Sequence, residues 1–217
     1  MSGLLLRCAT AVIYGAALVY TFLYLPPLYF TLLLASLLGI ILVHEYPKIA
    51  QRDRRWWWLV PLYPILPVLC LIALNHSPHR VLLIYLFVLM SLFDTGAYVV
   101  GRWCGRTKLS RWSPQKTWEG VGGGVLFAGL GLLGLRHWLF TGIGAAASWQ
   151  LVVVLLAVSV LAVTGDLFES WLKRQAGLKD SSALLPGHGG LMDRLDSVLF
   201  GAYFFYALQG MLAAWLL

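Results

Sequence analysis

Val81-Leu-Leu-Ile-Tyr-Leu-Phe-Val-Leu-Met-Ser-Leu-Phe-Asp94-Thr-Gly-Ala-Tyr98-Val-Val100 runs for twenty residues with one charged side chain. A helix rises about 1.5 Å per residue, so this stretch reaches about 30 Å, the depth of bilayer hydrocarbon. Its apolar residues surround the helix axis instead of forming a stripe, which suits lipid better than the edge of a soluble core. The same ruler, moved outward, finds spans at about 8–25, 27–46 and 56–74 on the amino side. On the carboxyl side it finds 119–140, 148–167 and 195–217, about seven spans in all. The expected fold is an all-α, polytopic integral membrane bundle in which 1–217 is a single membrane domain. Composition agrees, with 60% hydrophobic and 12% charged residues and a mean hydropathy of +0.79. These values exclude intrinsic disorder, collagen and coiled coil.

The first span is expected to be retained, because Arg7 is its only basic flank, no small-residue cleavage site follows, and Pro26-Pro27 leads straight into the next span. Trp56-Trp57-Trp58, Trp138 and Trp149 fall at span ends and suit interfacial anchoring. Cys8, Cys70 and Cys104 are odd in number and form no C-x-x-C pair, so they give neither a disulfide framework nor a zinc site. Cys104 is expected to face a reducing compartment.

Fourteen of the sixteen Lys and Arg fall before span one or after spans two, four and six, and only Arg80 and Arg136 lie on the other side. The positive-inside rule then puts the amino terminus in the cytoplasm and the carboxyl terminus outside. All nine acids, Glu45, Asp53, Asp94, Glu119, Asp166, Glu169, Asp180, Asp193 and Asp196, fall in the cytoplasmic loops or the helix ends entering them. The positive-inside rule does not demand that. Acids among bases at a membrane edge need ion pairing or a metal, and a metal beside a basic wall is what a polyphosphate requires.

Three polar stretches carry this pattern. In the first, Asp94 to Arg102, Asp94 lies thirteen residues into its span, where an ionised carboxylate costs about 2.5–3.5 kcal/mol on insertion scales. Asp94, Tyr98 and Arg102 recur every fourth residue and share one helix face leading to the cytoplasmic surface. That face serves either a substrate or a helix-end ion pair. In the second stretch, Lys108 to Gly120, Ser113-Pro114 predicts a helix N-cap followed by proline at the first helical position. Lys116 in the first turn, with Lys108 and Arg111 before it, then forms either a phosphate cradle at a helix terminus or an ordinary basic loop. Gly120, Gly124 and Ala128 follow as a small-residue strip suited to close helix packing. A homodimer is expected, with the glycines offering a packing face.

The third stretch runs from Gly165 to Asp196. On a helix Asp166, Ser170 and Lys173 share a face, and Asp193 and Asp196 share another, so two sources of carboxylate frame one loop. Gly187, Gly189 and Gly190 allow close backbone approach, and a helix starting near Met192 is expected to aim its N-terminus at an anion. Hard oxygen ligands suit Mg²⁺, which takes one or two carboxylates and leaves other positions to water and phosphates. His188 is either a phosphate donor or a packed, capping histidine.

Ser170-x-Leu172-Lys173-Arg174-x4-Lys179-Asp180-x-Ser182-x2-Leu185-Pro186-x-His188-Gly189-Gly190-Leu191-x-Asp193-Arg194-Leu195-Asp196 resembles the signature of the phosphatidate cytidylyltransferase family at every defined position. The stretches 94–102 and 113–120 also resemble that family, so the likeness covers about 81–217, while 1–80 contributes only hydropathy. The resemblance implies a polytopic enzyme, dimeric and longer at its amino end than this chain, in the bacterial inner membrane. It would condense CTP with phosphatidate to give CDP-diacylglycerol and pyrophosphate, using Mg²⁺, often with a monovalent cation such as K⁺. It places the metal on Asp166 and Asp193. Lys173, Arg174, Lys179 and Arg194 are then expected to offset phosphate charge, with Asp180, His188 and Asp196 as the remaining catalytic positions. Substrate contacts are expected at Asp94, Tyr98, Arg102, Lys108, Ser113, Lys116, Ser170, Gly189 and Gly190. The expected partners are CTP, phosphatidate, the bilayer and a second copy of the chain, with no nucleic acid.

Competing readings are a CTP-dependent polyprenol or phytol kinase, a CDP-archaeol synthase, and a non-enzymatic scaffold or transporter. The signature through Asp196 argues against a kinase. A transporter would carry its charges at the bilayer midplane within inverted repeats of broken helices, and here they cluster at one face.

Overall fold

The structure is a computed structural model, which describes residues 15–139, 148–178, 181, 182, 184 and 190–217. Its helices are α1 (Gly15–Tyr24), α2 (Pro27–Ala50), α3 (Arg54–Asn75), α4 (Leu82–Cys104) and α5 (Trp118–Leu139), then α6 (Ser148–Gln175), α7 (Met192–Ala207) and α8 (Gln209–Leu216). Five of these are long and apolar enough to cross a membrane, or six if the bent pair α7–α8 is one span. The chain is thus a polytopic helical membrane bundle, as its hydropathy predicts. Of the span expected at 8–25, only the part from Gly15 lies within the described residues.

The chain forms two compact units. One is Met1–Ser77 with Leu172–Leu195, the other Pro78–Trp171 with Asp196–Leu217. The signature stretch from Leu172 to Leu195 therefore belongs with the amino-terminal helices.

In the first unit, α2 opens on Pro27, where a missing N–H costs nothing. Near its end Pro47 has no N–H to give the carbonyl four residues earlier, and the helix takes one wide turn, Ile41–Glu45, closed by the Tyr46 N–H on the Ile41 carbonyl. The wide turn adds a residue to the helical register, and Glu45 is fully buried there. The other end of α2 is tied to α3 by Asn75, whose Nδ2 donates to the Pro27 carbonyl at 2.8 Å and to Thr31 Oγ1 at 3.1 Å. Phe30, Leu34, Leu37, Leu71 and Leu74 fill this unit's core. Trp57 and Trp58 at the start of α3 are exposed, as interfacial anchors should be.

In the second unit, α4 and α5 approach through small residues. A Cβ at Gly96 would stand 2.5 Å from the Gly123 carbonyl, and one at Gly124 would stand 2.8 Å from the Phe93 ring. The strip from Gly120 to Ala128 is buried within the chain, so the close packing it predicted is with α4, and it offers no free face to a second copy.

Two expected boundaries move. The sixth span continues past residue 167 to Gln175, so Asp166, Ser170, Lys173 and Arg174 all ride on α6. The seventh, expected as one span over 195–217, starts at Met192 and bends by 89° between α7 and α8. Gly210, a weak helix former, sits just beyond the break at Leu208. Beyond it α8 is held in the unit by Tyr85, whose hydroxyl donates to the Leu216 carbonyl at 3.1 Å, and by Trp215, edge-on to Trp149 at 5.3 Å.

Candidate functional site

The loop between α4 and α5 folds back on itself. Lys108 and Thr117 form an isolated antiparallel bridge, with Leu109 N–H on the Lys116 carbonyl at 2.8 Å and Trp118 N–H on the Thr107 carbonyl at 3.0 Å. The Glu119 carboxylate accepts from the backbone N–H of Arg106 at 3.2 Å and of Thr107 at 3.1 Å. Ser113 is not the helix N-cap that its proline neighbour predicts. Its carbonyl accepts the Lys116 N–H at 3.1 Å and so closes a turn. Capping falls to Thr117, whose Oγ1 accepts the Gly120 N–H at 3.1 Å. Both residues are competent caps, and the bridge decides between them because it presents Thr117 at the point where the chain enters α5.

That turn sends Lys116 onto the Asp166 carboxylate as an ion pair, both side chains a little over a quarter exposed. Asp166 is set by its neighbour. A Cβ at Gly165 would stand 2.6 Å from the Asp196 carbonyl and 3.0 Å from the Ser197 Cα, so α6 and α7 touch backbone to backbone there. Asp196 is buried and its Oδ1 accepts the Ser197 N–H at 2.7 Å. Ser197 Oγ in turn donates to Asp94 Oδ2 at 3.2 Å. A continuous set of contacts thus joins Asp94 on α4, Ser197 and Asp196 on α7, Gly165–Asp166 on α6 and Lys116 in the loop. Ser197 was not singled out from the sequence. It is an ordinary serine in an apolar helix, and only the approach of α4 gives it a partner.

Other expected substrate contacts fall beside this set. Tyr98 and Arg102 share a helix face as the spacing predicts, with Arg102 Nη1 donating to the Tyr98 hydroxyl at 2.7 Å. Both are exposed, as is Lys108, while Ser170 is half-buried on α6.

The first unit gathers the signature residues. Lys173 on α6 pairs with Asp193 Oδ1. The other oxygen of Asp193 accepts the Gly190 N–H at 2.8 Å, the Ser181 N–H at 3.2 Å and the Ser181 hydroxyl at 3.1 Å. Arg174 is exposed, with Nη1 on the Leu178 carbonyl at 3.2 Å, and Arg194 is exposed at the start of α7. Gly190 is buried, and its N–H is spent on Asp193. Lys179, Asp180, His188 and Gly189 lie outside the described residues.

The N-terminus of α7 does meet an anion, but the anion is the chain's own. Glu45 Oε1 accepts the Leu191 N–H at 2.7 Å and Glu45 Oε2 accepts the Met192 N–H at 2.7 Å, so these donors are not open to a substrate phosphate. Ser182 Oγ donates to Glu45 Oε1 at 2.7 Å, and Ser181 Oγ lies 3.3 Å from Oε2. Sequence reading counted Glu45 among the cytoplasmic-edge acids and gave it no role. Its only local signal is Pro47, which forces the wide turn that carries it inward.

Among the described residues no three His, Cys, Asp or Glu side chains form a group able to hold a metal ion. The donors at Asp166 and Asp193 are oxygens, the chemistry a hard divalent cation takes, and such an ion is commonly held by one or two carboxylates with water and phosphate completing its shell. The residues present fit Mg²⁺ on that ground. Asp193 Oδ2 is taken by the backbone N–H groups of Gly190 and Ser181, with the Ser181 hydroxyl also in reach, so Oδ1, which faces Lys173, is the oxygen that suits an ion.

The chain is 40% identical over 156 residues to a phosphatidate cytidylyltransferase of Helicobacter pylori, covering 71% of this chain and 56% of that protein. It is 36% identical over 190 residues to one of Haemophilus influenzae, covering 78% and 65%, and 44% identical over 124 residues to one of Synechocystis, covering 53% and 39%. The chain thus matches between two fifths and two thirds of the length of these curated relatives. A family model described as the cytidylyltransferase family matches residues 56–212, well over half of the chain, which therefore belongs to the cytidylyltransferase family.

Proposed function

We propose that the chain transfers the cytidylyl group of CTP to the phosphate of phosphatidate, forming CDP-diacylglycerol and releasing pyrophosphate. The observation that carries this reading is the contact set from Asp94 through Ser197, Asp196 and Asp166 to Lys116. In it a loop lysine and carboxylates from three helices are brought together, the charges that a metal and a polyphosphate need. The lipid phosphate is ionised at neutral pH, so an oxygen of it attacks the α-phosphorus of CTP, the bond to the β-phosphate oxygen breaks, and pyrophosphate leaves with that electron pair. No proton has to be removed from the nucleophile, so the protein's work is alignment and charge neutralisation.

Lys116 and Lys173, each already against a carboxylate, can turn to phosphate oxygens when substrate arrives. Arg174 and Arg194, exposed at the ends of α6 and α7, supply further positive charge. Asp166 in its unit and Asp193 Oδ1 in its own are the candidate Mg²⁺ ligands, and a monovalent cation would accompany the metal. Bound there, the ion neutralises phosphate charge and stabilises the leaving pyrophosphate. We also read the amino terminus as cytoplasmic, the membrane as a bacterial inner membrane, and the working form as a homodimer.

The fate of label tests the reaction. Purified protein in lipid nanodiscs with phosphatidate and Mg²⁺ should move label from the α-position of CTP into lipid and release γ-label as pyrophosphate, in equal amounts. Lipid carrying γ-label without α-label would turn the reading to a CTP-dependent lipid kinase.

A further inference from the structure

We propose that Glu45 is a positioning residue, whose ionised carboxylate holds the Leu191–Met192 backbone and the Ser181–Ser182 hydroxyls and through them orients Asp193. The inference rests on the reading of Asp193 as a site residue. Glu45 lies before residue 56, where the family match begins, and within 1–80, where the sequence shows no motif.

Three donors converge on this one buried side chain, and a fourth, the Ser181 hydroxyl, is shared with Asp193. Ser182 Oγ and Leu191 N–H reach Oε1, each at 2.7 Å. Met192 N–H at 2.7 Å and Ser181 Oγ at 3.3 Å reach Oε2. A carboxylate has about four lone-pair sites and no proton, so it can accept all four. Charge-assisted bonds from the first N–H groups of a helix are also the means by which a buried anion is best held.

The coupling to Asp193 is direct in the chain. Asp193 Oδ2 is held by donors on Ser181 and Gly190, and their neighbours Ser182 and Leu191 are bound to Glu45. Ser181 Oγ stands between the two carboxylates, 3.1 Å from Asp193 Oδ2 and 3.3 Å from Glu45 Oε2. A hydroxyl has one proton, so it serves one carboxylate at a time and its position is set by both. The space between them is closed, since a Cβ at Gly190 would overlap Ser181 Oγ and lie 2.7 Å from Glu45 Oε1.

Shape alone does not satisfy this arrangement. Glutamine at position 45 has one accepting oxygen, and in either orientation its NH₂ would face a backbone N–H, that of Leu191 or that of Met192, donor against donor. The Glu45→Gln substitution should therefore free Ser181, Ser182 and the 190–193 backbone while leaving α2 and α3 in place.

The test uses the full chain in nanodiscs and two readouts, steady-state kinetics and amide hydrogen exchange. Glu45→Gln should lower kcat about 10- to 100-fold, as loss of a supporting contact to a ligating carboxylate does, with KM for CTP within about two-fold. Exchange should quicken in peptides covering 181–193 and stay unchanged in those covering 27–40. Glu45→Asp, which keeps the charge, should recover part of kcat. An unchanged kcat, or unchanged exchange over 181–193, would overturn the proposal, and faster exchange throughout the chain would reduce Glu45 to a general stability role. If Glu45→Gln does not fold, Ser182→Ala decides: faster exchange confined to 181–193 supports the proposal and unchanged exchange refutes it. Absence of CDP-lipid from the unsubstituted protein would instead defeat the proposed reaction, and the exchange comparison would still decide this one.

Discussion

Replacing Gly165 with alanine sets two effects of known sign against each other. Alanine favours a helix interior over glycine by about 0.5–1 kcal/mol. Against that, the new methyl would stand 2.6 Å from the Asp196 carbonyl oxygen, 3.0 Å from Ser197 Cα and 3.1 Å from Asp196 C, where ordinary contact begins at 3.4 Å. Every neighbour is backbone, so no side chain can rotate away, and α6 and α7 must separate by about 0.8 Å at this level. Overpacking of this kind costs about 1–3 kcal/mol, which leaves a net destabilisation of roughly 0–2 kcal/mol and a melting temperature lower by a few degrees. Activity should suffer far more. Asp166 is the next residue, and Asp196 and Ser197 form the wall that moves. Misplacing a positioned group by about 1 Å costs on the order of 100-fold in rate. The assay is α-labelled CTP incorporation alongside thermal unfolding in the same detergent. Gly122→Ala on α5, where a Cβ meets nothing within 4 Å, serves as control and should be neutral or slightly stabilising. A Gly165→Ala protein with CDP-lipid formation within two-fold of the unsubstituted chain would show that the α6–α7 contact does not set the site.

Asp166→Asn and Asp193→Asn should each cut turnover by about 100-fold or more while leaving the protein folded and inserted; near-normal Mg²⁺-dependent activity in either would remove that carboxylate from the set of ligands. Reporter fusions should place the amino terminus in the cytoplasm and the carboxyl terminus outside, since the basic residues split fourteen to two. Within its unit Leu216 is bonded to Tyr85 near the start of α4, at the end opposite Arg102. Both termini on one side would mean an even number of crossings.

The spans were legible because hydropathy over about twenty residues is a local property. The small residues every fourth position announced close packing along α5, but not that its partner is α4 and not the expected second copy. The break at Leu208 was not legible, because the apolar run resumes at once and continues through 217, and only Gln209-Gly210 marks it. In the loop before α5, Ser113-Pro114 and Thr117 both carry cap chemistry, and the bridge from Lys108 that selects Thr117 depends on the chain turning back. Lys116 and Asp166 were each picked out for phosphate or metal, and the structure joins them directly. Glu45 was beyond reach for a different reason. Nothing within a helical turn of it bonds its carboxylate, and its partners stand 136 to 147 positions further along.

That separation has a consequence in time. A growing chain lengthens by about 5–20 residues per second, so the interval between synthesis of Glu45 and of Met192, 147 positions later, is on the order of 7–30 s. Through that interval α2 is already made, and the donors that will take up its carboxylate do not yet exist. The end of α2 therefore waits on donors made 136 to 147 positions later before it can reach its final bonding.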